Sequence, residues 1–477
     1  MSSRSVQDES HRTELFALYL STFLLRTGFG GAIILFDWLL VWALESKGFS
    51  TSSGYSILLI SFAAITYYLA EIMLTGYYGS SSDKVGTKPI LLYATIGSGI
   101  VLLFYAPSSL IFISISDANF AIIGLTFYLA LVHFVHGVFA SAKVAPTLGF
   151  INRLSTNENR ALHMAYYDNA ILYGRAAGIL IGGFLWIILK VDSKEGIDAQ
   201  GRQIAKAFPF LTILLVIATL LIIYGLKDTE EHKMKRDKFS AKRDIQIAAR
   251  VMLSEQRRPM LIPWLSISAL IGSASLWGPT ISFILSDETS HNRGYEALLP
   301  LIVVLFGLAL PAPLWGIFAD RKGRKVTLKV GLLGMPIMGV LGVVLGYPFY
   351  KDDISIGNIY FLMAVLPAAF MFSALIPVLM GILGDTAEES TDGQVMSGYH
   401  FTIAMGEIIG VLGGGLVIGF FAMFQSVTGV FGDGQDGTNT AILIGFVLFE
   451  ILLVAGMFVG ILKLPEEQSK NPKVTTS

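Results

Sequence analysis

The chain has 477 residues, 53% hydrophobic and only 14% charged, with a mean hydropathy of +0.65, where an ordinary soluble domain carries about 25% charged residues. A net charge of −1 and a pI near 6.7 give no basic field for nucleic acid. The absence of cysteine excludes disulfides, thiolate nucleophiles and cysteine-ligated metal.

A polar tail, residues 1–13, precedes an apolar stretch that is longer than a signal-peptide core and has no small-residue cleavage site, so it reads as an uncleaved first span. At about 20 apolar residues per crossing, twelve spans are predicted near 14–42, 53–78, 89–107, 119–150, 164–189, 208–226, 260–286, 296–318, 330–348, 357–384, 396–424 and 439–462. An even number puts both termini on one side. Most of the 34 Lys and Arg fall in the tails and in the loops that join even spans to odd ones, so both termini are expected in the cytoplasm.

Residues 227–259 are charged and include Lys233, Lys235, Arg236, Lys238, Lys242 and Arg243. They read as a cytoplasmic linker between a first six-helix bundle, 14–226, and a second, 260–462, with 463–477 as a cytoplasmic tail. Their basic residues are expected to set topology and to meet anionic lipid headgroups. An internal repeat supports two halves. Gly174, Gly178 and Gly182 in span five have counterparts Gly406, Gly410 and Gly414 in span eleven, each displaced by 232, and Pro146 and Pro377 are displaced by 231. Such glycine spacing favours close helix packing.

After span two the chain reads Gly79-Ser80-Ser81-Ser82-Asp83-Lys84-Val85-Gly86-Thr87-Lys88, and after span eight Gly316-Ile317-Phe318-Ala319-Asp320-Arg321-Lys322-Gly323-Arg324-Lys325. The first Gly of each lets helices approach, the Asp can face a neighbouring helix N-terminus, and the second Gly permits a tight turn. The basic residues hold their charge in the cytoplasm. Both segments resemble the signature G-x-x-x-D-[RK]-x-G-[RK]-[RK] of the major facilitator superfamily, the first departing from it at Thr87. Span four, from His133 through His136 and Gly137 to Lys143, is similar to that family's R-x-x-Q-G-x-x-x-A, with His133 where the Arg stands. The helix-five pattern of drug/proton antiporters is met only in part, because Ile179 replaces its proline.

The resemblance covers the whole chain. It implies an all-α polytopic membrane protein whose twelve transmembrane helices form two pseudo-symmetric six-helix bundles. It also implies secondary transport and a cytoplasmic latch at Gly79, Asp83, Lys84, Gly86, Lys88, Gly316, Asp320, Arg321, Gly323 and Arg324.

Ionisable residues inside spans are costly and mark aqueous paths or bundle interiors. The sequence offers Arg26, Asp37, Glu71, His133, His136, Lys143, Asp168, Arg175, Glu407 and Glu450. Asp168 and Arg175, like His136 and Lys143, are seven apart and so share a helix face. Arg26 and Arg175 lie near mid-membrane by helix rise, Lys143 is expected to snorkel and Asp37 to sit in the outer mouth. Glu71 reads as a candidate helix-packing partner near the latch, its role left open, and Glu450 is expected at a structural or lipid-facing position. Arg175 and Glu407 are also repeat equivalents of opposite sign. They either pair across the two halves or are satisfied each within its own.

The expected solute site is Arg26, Arg175, His136 and Trp277, with Glu407, His133 and Asp168 in coupling, and the serines Ser266, Ser268, Ser273 and Ser275 give span seven a polar side. These residues point to an integral, multi-pass transporter of the cell membrane for a small organic anion or zwitterion, driven by protons or another coupling ion. A monomer in the lipid bilayer is expected, with neither metal nor cofactor. A drug or lipid-like exporter and a non-transporting receptor or scaffold are the alternatives. No nucleophile–base pair or phosphate loop appears at motif spacing, so an enzyme is disfavoured.

Overall fold

In the computed structural model, residues 3–50, 53–108, 112, 115–156, 158–189, 204–227, 239–285, 305–346, 359–387, 391–432 and 434–464 are described, and every regular element among them is helical. The first six predicted spans are α1 (Ser3–Ser46), α2 (Gly54–Val85), α3 (Thr87–Tyr105), α4 (Ala118–Leu154), α5 (Arg160–Ile188) and α6 (Ala207–Gly225). Span seven is α8 (Leu261–Leu285), span eight includes α9 (Ala312–Lys322), and span nine is α10 (Arg324–Gly346). The proposed start of span eight, 296–304, lies outside the described residues, as do Lys233, Lys235, Arg236 and Lys238 of the linker.

Two spans depart from simple helices. Span ten breaks into α11 (Ile359–Phe372) and α12 (Leu375–Gly384), because Pro377 has no N–H to give to the carbonyl of Ser373. Its repeat counterpart Pro146 stays inside unbroken α4. Span eleven runs through α13 (Asp392–Ile408), a π-turn at Ile409–Gly413 and α14 (Gly414–Thr428), and span twelve is α15 (Gly434–Leu462). Nine helices among the described residues are long and apolar enough to cross a membrane.

The glycine repeat is a packing repeat. On α5, Gly174 lies against Phe23 and Arg26 of α1, Gly178 against Thr27 and Gly31, and Gly182 against Gly31. Along span eleven, Gly406 meets Leu265 and Ser268 of α8, Gly410 meets Ala269 and Ser273, and Gly414 meets Ser273 and Trp277. A side chain would strike backbone at the first five of these positions and the side chains of Ser273 and Trp277 at Gly414, so the helices approach because glycine is there.

The linker holds an element the sequence reading did not foresee, the helix α7 (Ala241–Leu253). Asp244, Ala248 and Met252, four residues apart, form its buried face. Gly76 of α2 receives the backbone of Asp244, and Gly398 of α13 receives Val251 and Met252. The helix therefore lies under both halves.

Candidate functional site

The two signature segments are built alike. In each a single glycine joins two helices: Gly86 between α2 and α3 with φ 89°, and Gly323 between α9 and α10 with φ 100°. These values fall where side chains are strained. One turn earlier each aspartate accepts two backbone N–H groups at a helix N-terminus in the other half. Asp83 takes Gly393 at 2.9 Å and Gln394 at 3.0 Å, at the start of α13. Asp320 takes Ala161 at 3.3 Å and Leu162 at 3.1 Å, at the start of α5. Free helical N–H groups and the positive end of the macrodipole favour a carboxylate there. Gly79 and Gly316 let the facing backbones of Gly393 and of Ala161 and Leu162 come in.

A layer of charge surrounds these caps. Arg153 lies 3.7 Å from Asp83 and donates to Thr87 at 2.7 Å, so the residue that departs from the signature accepts a bond of its own. Asp385, at the end of α12, receives Arg160 at 2.7 Å and also Arg324, which lies 3.9 Å from Asp320. Asn152 donates to Asp392 at 2.5 Å and to the carbonyl of Gly384 at 3.3 Å. Lys84 and Lys88 are half-buried beside the first turn, whereas Arg321 is exposed.

Deeper in the bundle a cavity of about 180 Å³ lies between the halves. Arg26, Phe29, Tyr67, Tyr68, Glu71, Tyr167, Asp168 and Arg175 line it from the first half, and Trp264, Ser275, Tyr399, His400 and Glu407 from the second. Arg175 Nη2 stands 3.7 Å from Glu407 Oε1, so these repeat equivalents pair across the two halves. A second bridge joins Glu71 Oε1 to His400 Nε2 at 3.2 Å, with Thr75 Oγ1 3.1 Å from His400 Nδ1. Arg26 and Asp168 are different. Neither has an ion-pair partner within 4 Å among the described residues, and Arg26 Nε and Asp168 Oδ2 are buried without a hydrogen-bond partner.

The structure groups some predicted site residues and separates others. Arg26, Arg175, Asp168 and Glu407 share the cavity. His133 and His136 stand behind its wall: Tyr105 Oη is 2.7 Å from His133 Nδ1 and 3.3 Å from His136 Nδ1, and Phe29 stacks on His136 at 3.8 Å. His133 lines a smaller neighbouring cavity of about 70 Å³, together with Asp37. Trp277 is fully buried, and its indole N–H donates to the carbonyl of Val411 at 2.9 Å. The cavity takes Trp264 from the same helix instead. Lys143 does not snorkel; it is 1% exposed and donates to Ser21 at 3.3 Å. Asp37, also 1% exposed, is enclosed rather than set in an open mouth, and both its carboxylate oxygens lack a hydrogen-bond partner.

His400, Tyr399 and Trp264 escaped the sequence reading. The signal for the first two was present, because His400 and Glu407 repeat the spacing of Asp168 and Arg175, and Tyr399 follows Tyr167 by the same 232 residues.

Comparison with known proteins agrees with this architecture. The family model described as Major Facilitator Superfamily matches residues 18–350. The tetracycline resistance protein, class H, of Pasteurella multocida is 22% identical over 417 residues, 86% of this chain and 87% of that protein. The multidrug resistance protein MdtG of Dickeya zeae is 27% identical over 172 residues, 35% of this chain and 38% of that protein. Among solved structures, the proton:xylose symporter XylE aligns with a TM-score of 0.64 at 15% identity, covering 96% of each chain. The human organic anion transporter MFSD10 aligns with a TM-score of 0.61 at 16% identity, covering 93% of this chain and 99% of that one. With twelve predicted spans, two signature turns and a cavity between the halves, this chain belongs to the major facilitator superfamily of membrane transporters.

Proposed function

We propose that the chain is a proton-coupled secondary transporter that carries a small organic anion or zwitterion by alternating access. One observation carries this reading: Arg175 and Glu407, at equivalent places in the two halves, meet at 3.7 Å inside the central cavity beside Arg26. A bridge between halves that opens when its carboxylate takes a proton links proton binding to their relative motion and frees a guanidinium for an anion. Residues 14–226 and 260–462 act as the two moving bundles, joined by 227–259, with both termini cytoplasmic and the protein monomeric in the cell membrane. The signature turns act as the cytoplasmic latch. Supporting this, Asp83 and Asp320 each tie one half to a helix N-terminus of the other.

The test is uptake or release of organic anions in proteoliposomes with an imposed pH gradient. Transport that responds to the gradient in the wild type, and no longer does in Glu407→Gln, is the expected result. A wild type indifferent to the gradient with every solute it carries would sink the coupling.

A second reading, export of drug-like solutes, is favoured by the aromatic wall of Phe29, Tyr67, Tyr167, Trp264 and Tyr399 and by relatives named for tetracycline and multidrug resistance. Efflux of apolar cations that is unaffected by Arg26→Gln would prefer it. A receptor or scaffold without transport has less support, because such a role needs neither a bridged cavity nor two latch turns.

A further inference from the structure

The cavity charges sort into two classes. Arg175 is taken by Glu407, and Glu71 by His400. What remains on the lining is one cation and one anion, Arg26 and Asp168, without ion-pair partners within 4 Å among the described residues. Each presents a buried atom with nothing to bond, a donor at Arg26 Nε and an acceptor at Asp168 Oδ2, and Tyr167, next to Asp168 in sequence, lines the same cavity. Lys143, the other buried cation nearby, does not line the cavity and donates to Ser21. Unpaired charge in a low-dielectric interior is costly, and the cost falls when a ligand supplies the opposite charge.

The two leftover side chains leave their helices at different depths. Gly174 of α5 packs against Arg26, and Asp168 stands six residues earlier on the same helix, about 9 Å of rise less what the side chains reach across. The wall around them is apolar and aromatic, with Phe29, Tyr167, Trp264 and Tyr399.

We infer that the solute is amphoteric, with an anionic group held by Arg26, an ammonium held by Asp168, and an apolar or aromatic spacer between them. This rests on the proposed transport through the central cavity and names the class of cargo. An acid with a single charge leaves Asp168 uncompensated, and an amine leaves Arg26 so. An α-amino acid carries both charges on one carbon and spans the least of that rise.

The experiment compares four probes on the purified full chain, by thermal shift and by uptake into proteoliposomes: 4-(aminomethyl)benzoate, 4-methylbenzoate, benzylamine and phenylalanine. The amphoteric benzoate is expected to bind at least about tenfold more tightly than any other probe, as two charge-assisted contacts exceed one. Asp168→Asn should bring it down to the affinity of 4-methylbenzoate while leaving 4-methylbenzoate itself no weaker. Arg26→Gln should bring it down to that of benzylamine.

Equal binding of 4-(aminomethyl)benzoate and 4-methylbenzoate in the wild type overturns the inference. If 4-methylbenzoate is then still transported in a manner that needs Arg26, the anion-transport reading stands without it. If no probe shifts the protein and none is carried, both fall. Because Asp168→Asn removes a charge that has no ion-pair partner among the described residues, its folding is checked by a melting temperature without probe that is no lower than that of the wild type.

Discussion

The layer around the signature turns and the central cavity use the same repeat in different ways. Four residues of the first half have a counterpart 232 residues later with an opposite or altered charge: Arg153 with Asp385, Arg160 with Asp392, Asp168 with His400, and Arg175 with Glu407. Arg175 and Glu407 meet directly, at 3.7 Å, where opposite signs give attachment and like signs would repel. The others take different partners: Arg153 pairs with Asp83, Asp385 with Arg160 and Arg324, and His400 with Glu71. In the layer around the signature turns the attachments are many. Arg160 and Arg324 converge on Asp385, and Asp83 and Asp320 each hold two backbone N–H groups. In the cavity two bridges form and two charges stay open. The first region is arranged to hold the ends of the two halves together, the second to be completed by something else.

The sharpest way to break the comparison is at Arg175 and Glu407. Arg175→Glu or Glu407→Arg places two like charges about 4 Å apart in a cavity, which should reduce transport by about a hundredfold or more, the cost of a disrupted buried pair being about 3–5 kcal/mol. The double exchange should recover a measurable part of the rate in a double-mutant cycle. If it restores nothing while both single variants remain folded, the 3.7 Å approach has no energetic meaning.

A smaller effect is expected in the layer around the signature turns, where several contacts share the load. Asp320→Asn or Asp83→Asn weakens two charge-assisted bonds at a helix N-terminus, together about 1.5–3 kcal/mol. That changes the ratio of cytoplasm-closed to cytoplasm-open forms by roughly ten- to a hundredfold. Because the chain has no cysteine, a single cysteine introduced on the cavity wall reports this directly through its labelling rate from either side. Labelling rates equal to those of the parent in both variants would remove the latch role.

Smaller again is the backbone effect at Gly86 and Gly323. Their φ values of 89° and 100° make alanine there cost about 1–3 kcal/mol, read as a lower melting temperature. A Cβ at Gly323 meets nothing within 4 Å, so its loss is purely conformational.

The span pattern was legible because hydropathy and length alone determine which segments cross. The turns were legible too, since Gly86 and Gly323 stand where only glycine is comfortable. What the sequence hid was partnership. Asp320 could be assigned to a helix N-terminus in general, but nothing along the chain says that it is the start of α5. Trp277 read as a cavity aromatic because helical spacing does not reveal that its N–H faces Val411, on the span packed against it. Lys143 read as a snorkelling residue because depth was counted along its own helix, and Ser21 of α1 was invisible to that count. His400 is hidden because the repeat puts it opposite Asp168, a residue of different chemistry, although Glu407 stands opposite Arg175 in the same register. The helix α7 was obscured by the charge of the linker, although Asp244, Ala248 and Met252 already mark one face.

The last distinction lies within a single signature segment, between Arg321 and Arg324. The resemblance to the family assigns both to the latch, yet their surroundings differ. Arg324 is 3% exposed, meets Asp385 and lies 3.9 Å from Asp320, whereas Arg321, at the end of α9, is exposed. An exposed charge is screened by water and salt and contributes about 0–1 kcal/mol. A buried one also strands its partners when removed. Arg324→Gln should therefore open the cytoplasmic side to cysteine labelling and lower the melting temperature. Arg321→Gln should change neither by more than about 0.5 kcal/mol, its remaining contribution being to topology during insertion. A loss in Arg321→Gln as large as that in Arg324→Gln would show that the exposed residue takes part in the latch in a conformation other than this one.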